Sequence, residues 1–257
     1  MTAEKKIHVE KSGPVTTVII DRPEVRNALD GDALGQITAA FRAFEQDSEA
    51  KVAVLWGAGG SFCSGGDLKE IAQNNDYEAW AGSNGGLLSK PPSKPIIAAV
   101  AGYACSGGLA LALWCDLRIA EQSATFALLS RRWGVPMTDG TTVRLPRIIG
   151  MGRALDMMLT ARKVGADEAQ QIGLVNRIVA DGQSRQEAEA LAREIADYPQ
   201  IAMRSDRNSA YEQSGRTLDD AIGREDELST QARRSEASSG AQHFASGAGR
   251  HGRKNAP

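Results

Sequence analysis

Two glycine-rich segments, each placed directly after a short apolar strand, constrain this chain most. The first is Ser61-Phe62-Cys63-Ser64-Gly65-Gly66-Asp67-Leu68-Lys69-Glu70, which follows the apolar run 51–57. The second is Ala101-Gly102-Tyr103-Ala104-Cys105-Ser106-Gly107-Gly108-Leu109-Ala110-Leu111, which follows Ile96–Val100. In both, glycines precede a stretch that reads as helix. Glycine lets another group approach the backbone closely, and a helix N-terminus leaves N–H groups unpaired at the positive end of the helix dipole. Two such donors converging on one point would form an oxyanion hole. Neither segment carries the Gly-Lys-Ser/Thr of a P-loop or the G-x-G-x-x-G of a dinucleotide site. The chain has 27 glycines in 257 residues, about 10.5% against a usual level near 7%, with no collagen-like period.

The rest of the chain frames these segments as an α/β fold. Val15–Ile20 is a β-branched run ending at Asp21-Arg22-Pro23, with 7–10 as its expected hairpin partner. Leu34, Ile37, Phe41 and Phe44 line one helix face behind a candidate Asp cap. Segments 51–57, 96–100 and 117–120 read as buried strands, and strands alternating with helices indicate crossover connections. From about residue 150 the pattern is mainly helical, at 153–160, 166–172, 186–198, 201–213 and 218–236. We divide the chain into a core, 1–195, and a helical C-terminal region, 196–257. Segment 73–90 is polar and glycine-rich and reads as a mobile surface stretch. The end, 238–257, reads as a disordered tail or as a basic arm (Arg250, Arg253, Lys254) that meets a phosphate.

Composition removes several chemistries. Thirty Lys+Arg against 32 Asp+Glu give a net charge of -2, which argues against a nucleic-acid binder. Three cysteines without CxxC spacing and three histidines near the chain ends argue against a zinc site and a Ser-His-Asp triad. Sparse cysteine, no signal-peptide core and no long apolar run lead us to expect a cytoplasmic protein without a membrane span.

Taken in order, several motifs resemble the crotonase superfamily, the enoyl-CoA hydratase/isomerase family. They are Arg26-Asn27-Ala28-Leu29, the two glycine segments, Cys115-Asp116-Leu117-Arg118-Ile119-Ala120, Gly134-Val135-Pro136, and Arg144-Leu145-Pro146-Arg147-Ile148-Ile149-Gly150. The resemblance covers about 15–224. It implies a spiral of ββα turns and a helical C-terminal region that builds a homotrimer or a dimer of trimers. The implied substrate is an acyl thioester of coenzyme A, with no permanently bound cofactor. The family's two oxyanion-hole amides fall on Gly66 and Gly107. Its CoA-contacting stretches fall on Arg26, Ala28, Asp67, Leu68 and Lys69, with ordinary surface charge as the alternative for Arg26 and Lys69.

The chain departs from the family's hydratase pattern. The two glutamates that activate water there fall on Ala110 and Ser130, and neither can act as a carboxylate. One carboxylate stays in the neighbourhood, Asp139 in Met137-Thr138-Asp139-Gly140-Thr141. In the dienoyl-CoA isomerase branch the catalytic Asp aligns one residue earlier, with Thr138. Asp139 is therefore either an acid/base or a turn residue or cap before the helix near Thr141. Arg131 and Arg132 read as a carboxylate-binding or a structural pair, and Trp133 as core packing. Glu70 and Glu121 read as surface carboxylates, and the cysteines as small apolar packers. Three functions fit: an acyl-CoA isomerase or lyase, a catalytically silent acyl-CoA binder, and a CoA-thioester hydrolase or decarboxylase.

Overall fold

In a computed structural model of the chain, residues 5–73, 80 and 85–247 are described. Most of the expected mobile segment, and Arg250, Arg253 and Lys254 of the expected basic arm, lie outside them. Two compact units are present, 1–195 and 196–257.

The first unit is built from a repeated strand–strand–helix turn. Strand β1 (Ile7–Ser12) pairs antiparallel with β2 (Val15–Ile20) across the Gly13-Pro14 turn, and α1 (Gly31–Gln46) follows. Then come β3 (Val52–Gly57), the short α2 (Leu68–Gln73), β4 (Ile96–Val100), β5 (Tyr103–Cys105) and α3 (Gly107–Trp114). Strands β6 (Leu117–Glu121) and β7 (Thr125–Ala127) lead through the 3-10 turn Leu129–Trp133 to α4 (Thr141–Ile149) and α5 (Met151–Thr160). The unit closes with β8 (Lys163–Gly165), α6 (Ala166–Gln171), β9 (Arg177–Val179) and α7 (Ser184–Ala196).

One sheet has the order β1-β2-β3-β4-β6-β9 and is parallel apart from the β1–β2 hairpin. All of β2 and β4 and most of β3 are buried, which explains their unbroken apolar sequences. The smaller sheet, β5-β7-β8, takes the second strand of successive turns. Single bridges, Leu29 to Gly66 and Cys63 to Ala104, extend the same layer to earlier turns. At the sheet change Gly102 has φ +52, and a Cβ there would lie 2.3 Å from the Gly60 carbonyl oxygen. Only glycine lets the chain turn against that backbone. The expected spiral of ββα turns is thus the observed architecture.

The second unit is helical: α8 (Gln200–Glu212), α9 (Leu218–Ala232), a π-turn at Arg233–Ala237 and α10 (Ser238–Ala245). Residues 238–245 are therefore helix, not the start of a disordered tail. Glu236 Oε1 and Oε2 accept hydrogen bonds from the Ile201 (3.1 Å) and Ala202 (2.7 Å) amides at the start of α8. That contact ties the last helices to α8 and satisfies donors every helix start leaves open. No helix among the described residues is long and apolar enough to cross a membrane.

Candidate active site

The two glycine segments meet because β3 and β4 are parallel neighbours, so the loops at their ends emerge side by side. Leu29 N–H donates to the Gly65 carbonyl (2.8 Å) and Asp67 N–H donates to the Leu29 carbonyl (2.9 Å). In that parallel pattern the Gly66 N–H points away from Leu29. Gly107 is the first residue of α3, where no intrahelical acceptor exists. Among the described residues neither amide has a protein acceptor. Gly65 (φ +113) brings the segments together: a Cβ there would lie 3.1 Å from the Gly107 nitrogen. Gly108 packs closer still, since its Cβ would fall 1.9 Å from the Cys63 carbonyl oxygen.

Ser106, directly before Gly107, holds φ 51 and ψ -117, a strained conformation for a residue with a side chain. Its amide donates to the Ala127 carbonyl (2.8 Å) and its Oγ accepts from the Ser130 amide (2.9 Å). These bonds fix the orientation of the Gly107 amide plane. Nothing in the sequence pattern singled out Ser106. Asn27, inside the Arg26–Leu29 motif, does a similar job with φ 57. Its Nδ2 donates to the Ala58 (2.8 Å) and Ser61 (2.6 Å) carbonyls, and its Oδ1 accepts from the Arg22 amide (2.8 Å).

Gly66 and Gly107 border a cleft of about 1360 Å³, whose wall also includes Ala28, Asp67, Leu68, Lys69, Trp80, Ser130 and Asp139. The cleft thus gathers every expected site residue except Arg26. The Arg26 guanidinium lies 5.4 Å from the Tyr103 ring centroid instead. The Ala28 carbonyl already accepts from Arg22, and its amide donates to Val25 (3.2 Å). Asp67 Oδ1 accepts from the Lys69 amide (3.0 Å), so Asp67 caps the short α2.

Among the described residues Asp139 is the buried carboxyl of the cleft, with 4% exposure. Burial pushes its pKa above the ordinary carboxylate value, against the hydrogen bond its Oδ1 accepts from the Thr141 amide (3.0 Å). The N-cap position of α4 is Gly140, without a side-chain cap, so Asp139 sits one residue before the position expected of a cap. The other cleft carboxylates are engaged elsewhere. Asp30 caps α1 through the Ala33 amide and pairs with Lys6 and Arg22. Glu70 accepts from the Gly31 amide (2.8 Å). Ala110 is buried on α3, and Ser130 stands in the cleft wall.

Two further expectations change. Trp133 is 71% exposed on the cleft rim and is not core. Glu121 is 6% exposed rather than a surface carboxylate: it accepts from the Ser184 Oγ (2.7 Å) and amide (3.3 Å) at the start of α7. Burial pushes the Cys63 thiol up to about 12 and the Cys105 thiol to about 11, which leaves both as unreactive packers.

A family model described as enoyl-CoA hydratase/isomerase matches residues 10–247. The chain is 35% identical over 227 residues to a short-chain-enoyl-CoA hydratase of Clostridium acetobutylicum, covering 85% of this chain and 86% of that one. It is 34% identical over 203 residues to a carnitinyl-CoA dehydratase of Salmonella enteritidis, covering 77% of each. The crystal structure of an enoyl-CoA hydratase from Mycobacterium marinum superposes with a TM-score of 0.89 at 31% identity, over 95% of this chain and 96% of that one.

Proposed function

The chain belongs to the enoyl-CoA hydratase/isomerase family of the crotonase superfamily, and from that premise we propose that it moves a proton on a CoA-thioester enolate. In this reading the thioester carbonyl oxygen receives hydrogen bonds from the Gly66 and Gly107 amides. As a proton leaves the acyl chain, negative charge gathers on that oxygen, where preformed donors stabilise it most. The Asp139 carboxylate takes the proton. It returns the proton to another carbon in an isomerisation, or a leaving group departs from the β-carbon in a lyase step. Coenzyme A arrives as part of the substrate, and no resident cofactor is invoked.

One observation carries the choice of proton transfer over hydration. Among the described residues Asp139 is the one buried carboxyl of the cleft, and the family's two hydratase glutamates fall, by the resemblance, on Ala110 and Ser130. The family's hydration divides the work on water between two carboxylates, and a serine hydroxyl is too weak a base to take over a share of it. A single carboxylate suffices when the same proton leaves one carbon and joins another.

The test is a panel of 2-enoyl, 3-enoyl, dienoyl and malonyl-type CoA thioesters, with products separated by chromatography, identified by mass, and isomers told apart by the ultraviolet absorbance of the conjugated enoyl thioester. Conversion between 2-enoyl and 3-enoyl thioesters without gain of water is the expected result. A mass gain of one water on the 2-enoyl thioester as the main reaction refutes it. Binding of all thioesters with turnover of none favours a silent acyl-CoA binder. We also propose a cytoplasmic homotrimer or dimer of trimers, supported by the exposed apolar residues Leu218, Ile222 and Phe244 in the helical unit. A monomer mass by light scattering would refute that assembly.

A further inference from the structure

Trp80 stands in the cleft wall with its benzo ring packed on both oxyanion-hole glycines. A Cβ on Gly107 would lie 2.6 Å from Cζ3 and 2.7 Å from Cη2 of the indole, and one on Gly66 would lie 3.8 Å from Cζ2. An amide nitrogen is about 2.5 Å from its own Cβ position, so the ring edge lies within about 5 Å of the Gly107 nitrogen. An oxyanion held by that amide sits about 2.9 Å from the nitrogen. Substituents on the acyl carbon next to the carbonyl then fall about 5 Å from the same nitrogen. They share a shell of space with the ring.

The ring is anchored. The Trp80 carbonyl accepts from the Leu88 amide (2.9 Å), and the Leu88 carbonyl accepts from Arg144 Nη2 (2.6 Å). Arg144 Nη1 donates to the Asp139 carbonyl (3.2 Å), so one guanidinium on α4 ties the indole's neighbour to the segment carrying the acid/base. The indole also packs against the main apolar core, and Leu88 is fully buried.

We propose that Trp80 is a specificity-determining residue for the acyl group, admitting chains unbranched at the carbon next to the thioester and rejecting those branched there. The inference rests on the acyl-CoA reading above. A straight 2-enoyl or 3-enoyl chain lies flat along the ring and gains its apolar contact. A methyl branch on the first acyl carbon meets the ring edge and must displace it or tilt the carbonyl off the two amides.

The experiment compares but-2-enoyl-CoA with 2-methylbut-2-enoyl-CoA in the wild type, Trp80→Phe and Trp80→Ala. In the wild type the straight thioester is preferred in kcat/KM, or in Kd if neither turns over. In Trp80→Ala that preference shrinks at least about tenfold, the size a well-packed pocket gives for one methyl. Trp80→Phe keeps the order of preference. A second readout separates packing from folding: but-2-enoyl-CoA quenches tryptophan emission in the wild type and in Trp133→Phe, and the quench is lost in Trp80→Phe. An unchanged straight-to-branched ratio in Trp80→Ala, or a quench retained in Trp80→Phe, overturns the assignment while calorimetric binding still upholds the acyl-CoA reading. Absence of calorimetric binding to the wild type at millimolar thioester overturns that reading, and the assignment with it.

Discussion

Replacing Gly108 by alanine tests whether the two glycine segments are held at a fixed spacing. The new Cβ would lie 1.9 Å from the Cys63 carbonyl oxygen, 2.7 Å from its carbonyl carbon and 3.0 Å from its Cβ. Ordinary contact begins near 3.4 Å, so α3 and segment 61–66 must separate by about 1.5 Å, the difference from 1.9 Å. No side-chain rotation relieves this, because the closest atoms are backbone. Cys63 is held on both sides as well: its amide donates to Tyr103 (2.9 Å) and its carbonyl accepts from Cys105 (3.0 Å). The displacement therefore passes to Gly66 and Gly107. A 1 Å misplacement at a reacting centre costs about 10²-fold, so kcat/KM on the best thioester of the panel falls by about that factor. Overpacking costs about 1–3 kcal/mol, or about 2–12 °C in melting temperature for a unit of this size. The control is Gly152→Ala in α5, where nothing lies within 4 Å of the added carbon. Wild-type kcat/KM with a melting temperature within 2 °C (about 0.5 kcal/mol) of wild type in Gly108→Ala would refute the reasoning.

Asn27→Ala removes three hydrogen bonds and leaves the Ala58 and Ser61 carbonyls without this donor, so a loss of about 3 kcal/mol is expected by urea unfolding, and a loss under about 0.5 kcal/mol contradicts it. Asp139 carries a pH signature. Its folded carboxyl binds a proton at higher pH than the unfolded one, so this group's contribution to stability falls as pH rises above about 3.9 through the folded value. Asp139→Asn keeps an acceptor for the Thr141 amide and removes the titration, so its melting temperature rises relative to wild type from pH 4 to pH 7. A gap independent of pH would show that burial does not raise the group. Gly223→Ala, inside α9 with nothing within 4 Å of the added carbon, should stabilise the helical unit by up to about 1 kcal/mol, and destabilisation would mean that site is covered.

What could be read from sequence follows burial and range. Strands β2, β3 and β4 are covered on both faces, so their apolar runs are continuous and plain. Strands β5, β7 and β8 have three residues each and pair Tyr103 with Thr125 and Thr125 with Gly165, partners too distant for a local pattern to announce. The glycine motifs were legible because Gly65 and Gly108 stand against backbone that a Cβ would meet, while Gly66 and Gly107 themselves were read from the family resemblance. Trp80 went unread because its importance comes from packing on Gly107, across a polar segment with no periodicity. Ser106 was hidden for a related reason: a strained φ held by Ala127 and Ser130 is a tertiary fact. Glu121 was misread because a charge closing an apolar strand suggests the surface, whereas here it receives the start of α7 from 63 residues away.

Proton exchange at the acyl chain tests the central claim most directly. A saturated thioester, butanoyl-CoA, has no double bond to hydrate or move, yet an enzyme that forms its enolate will exchange the protons next to the carbonyl. In D2O the wild type should incorporate deuterium at that carbon well above the uncatalysed rate, and Asp139→Asn should lower the rate by about 10²–10⁴. Equal exchange by the wild type and the variant would remove Asp139 from the mechanism. Binding of butanoyl-CoA with no exchange in the wild type would contradict enolate chemistry at the Gly66 and Gly107 amides altogether.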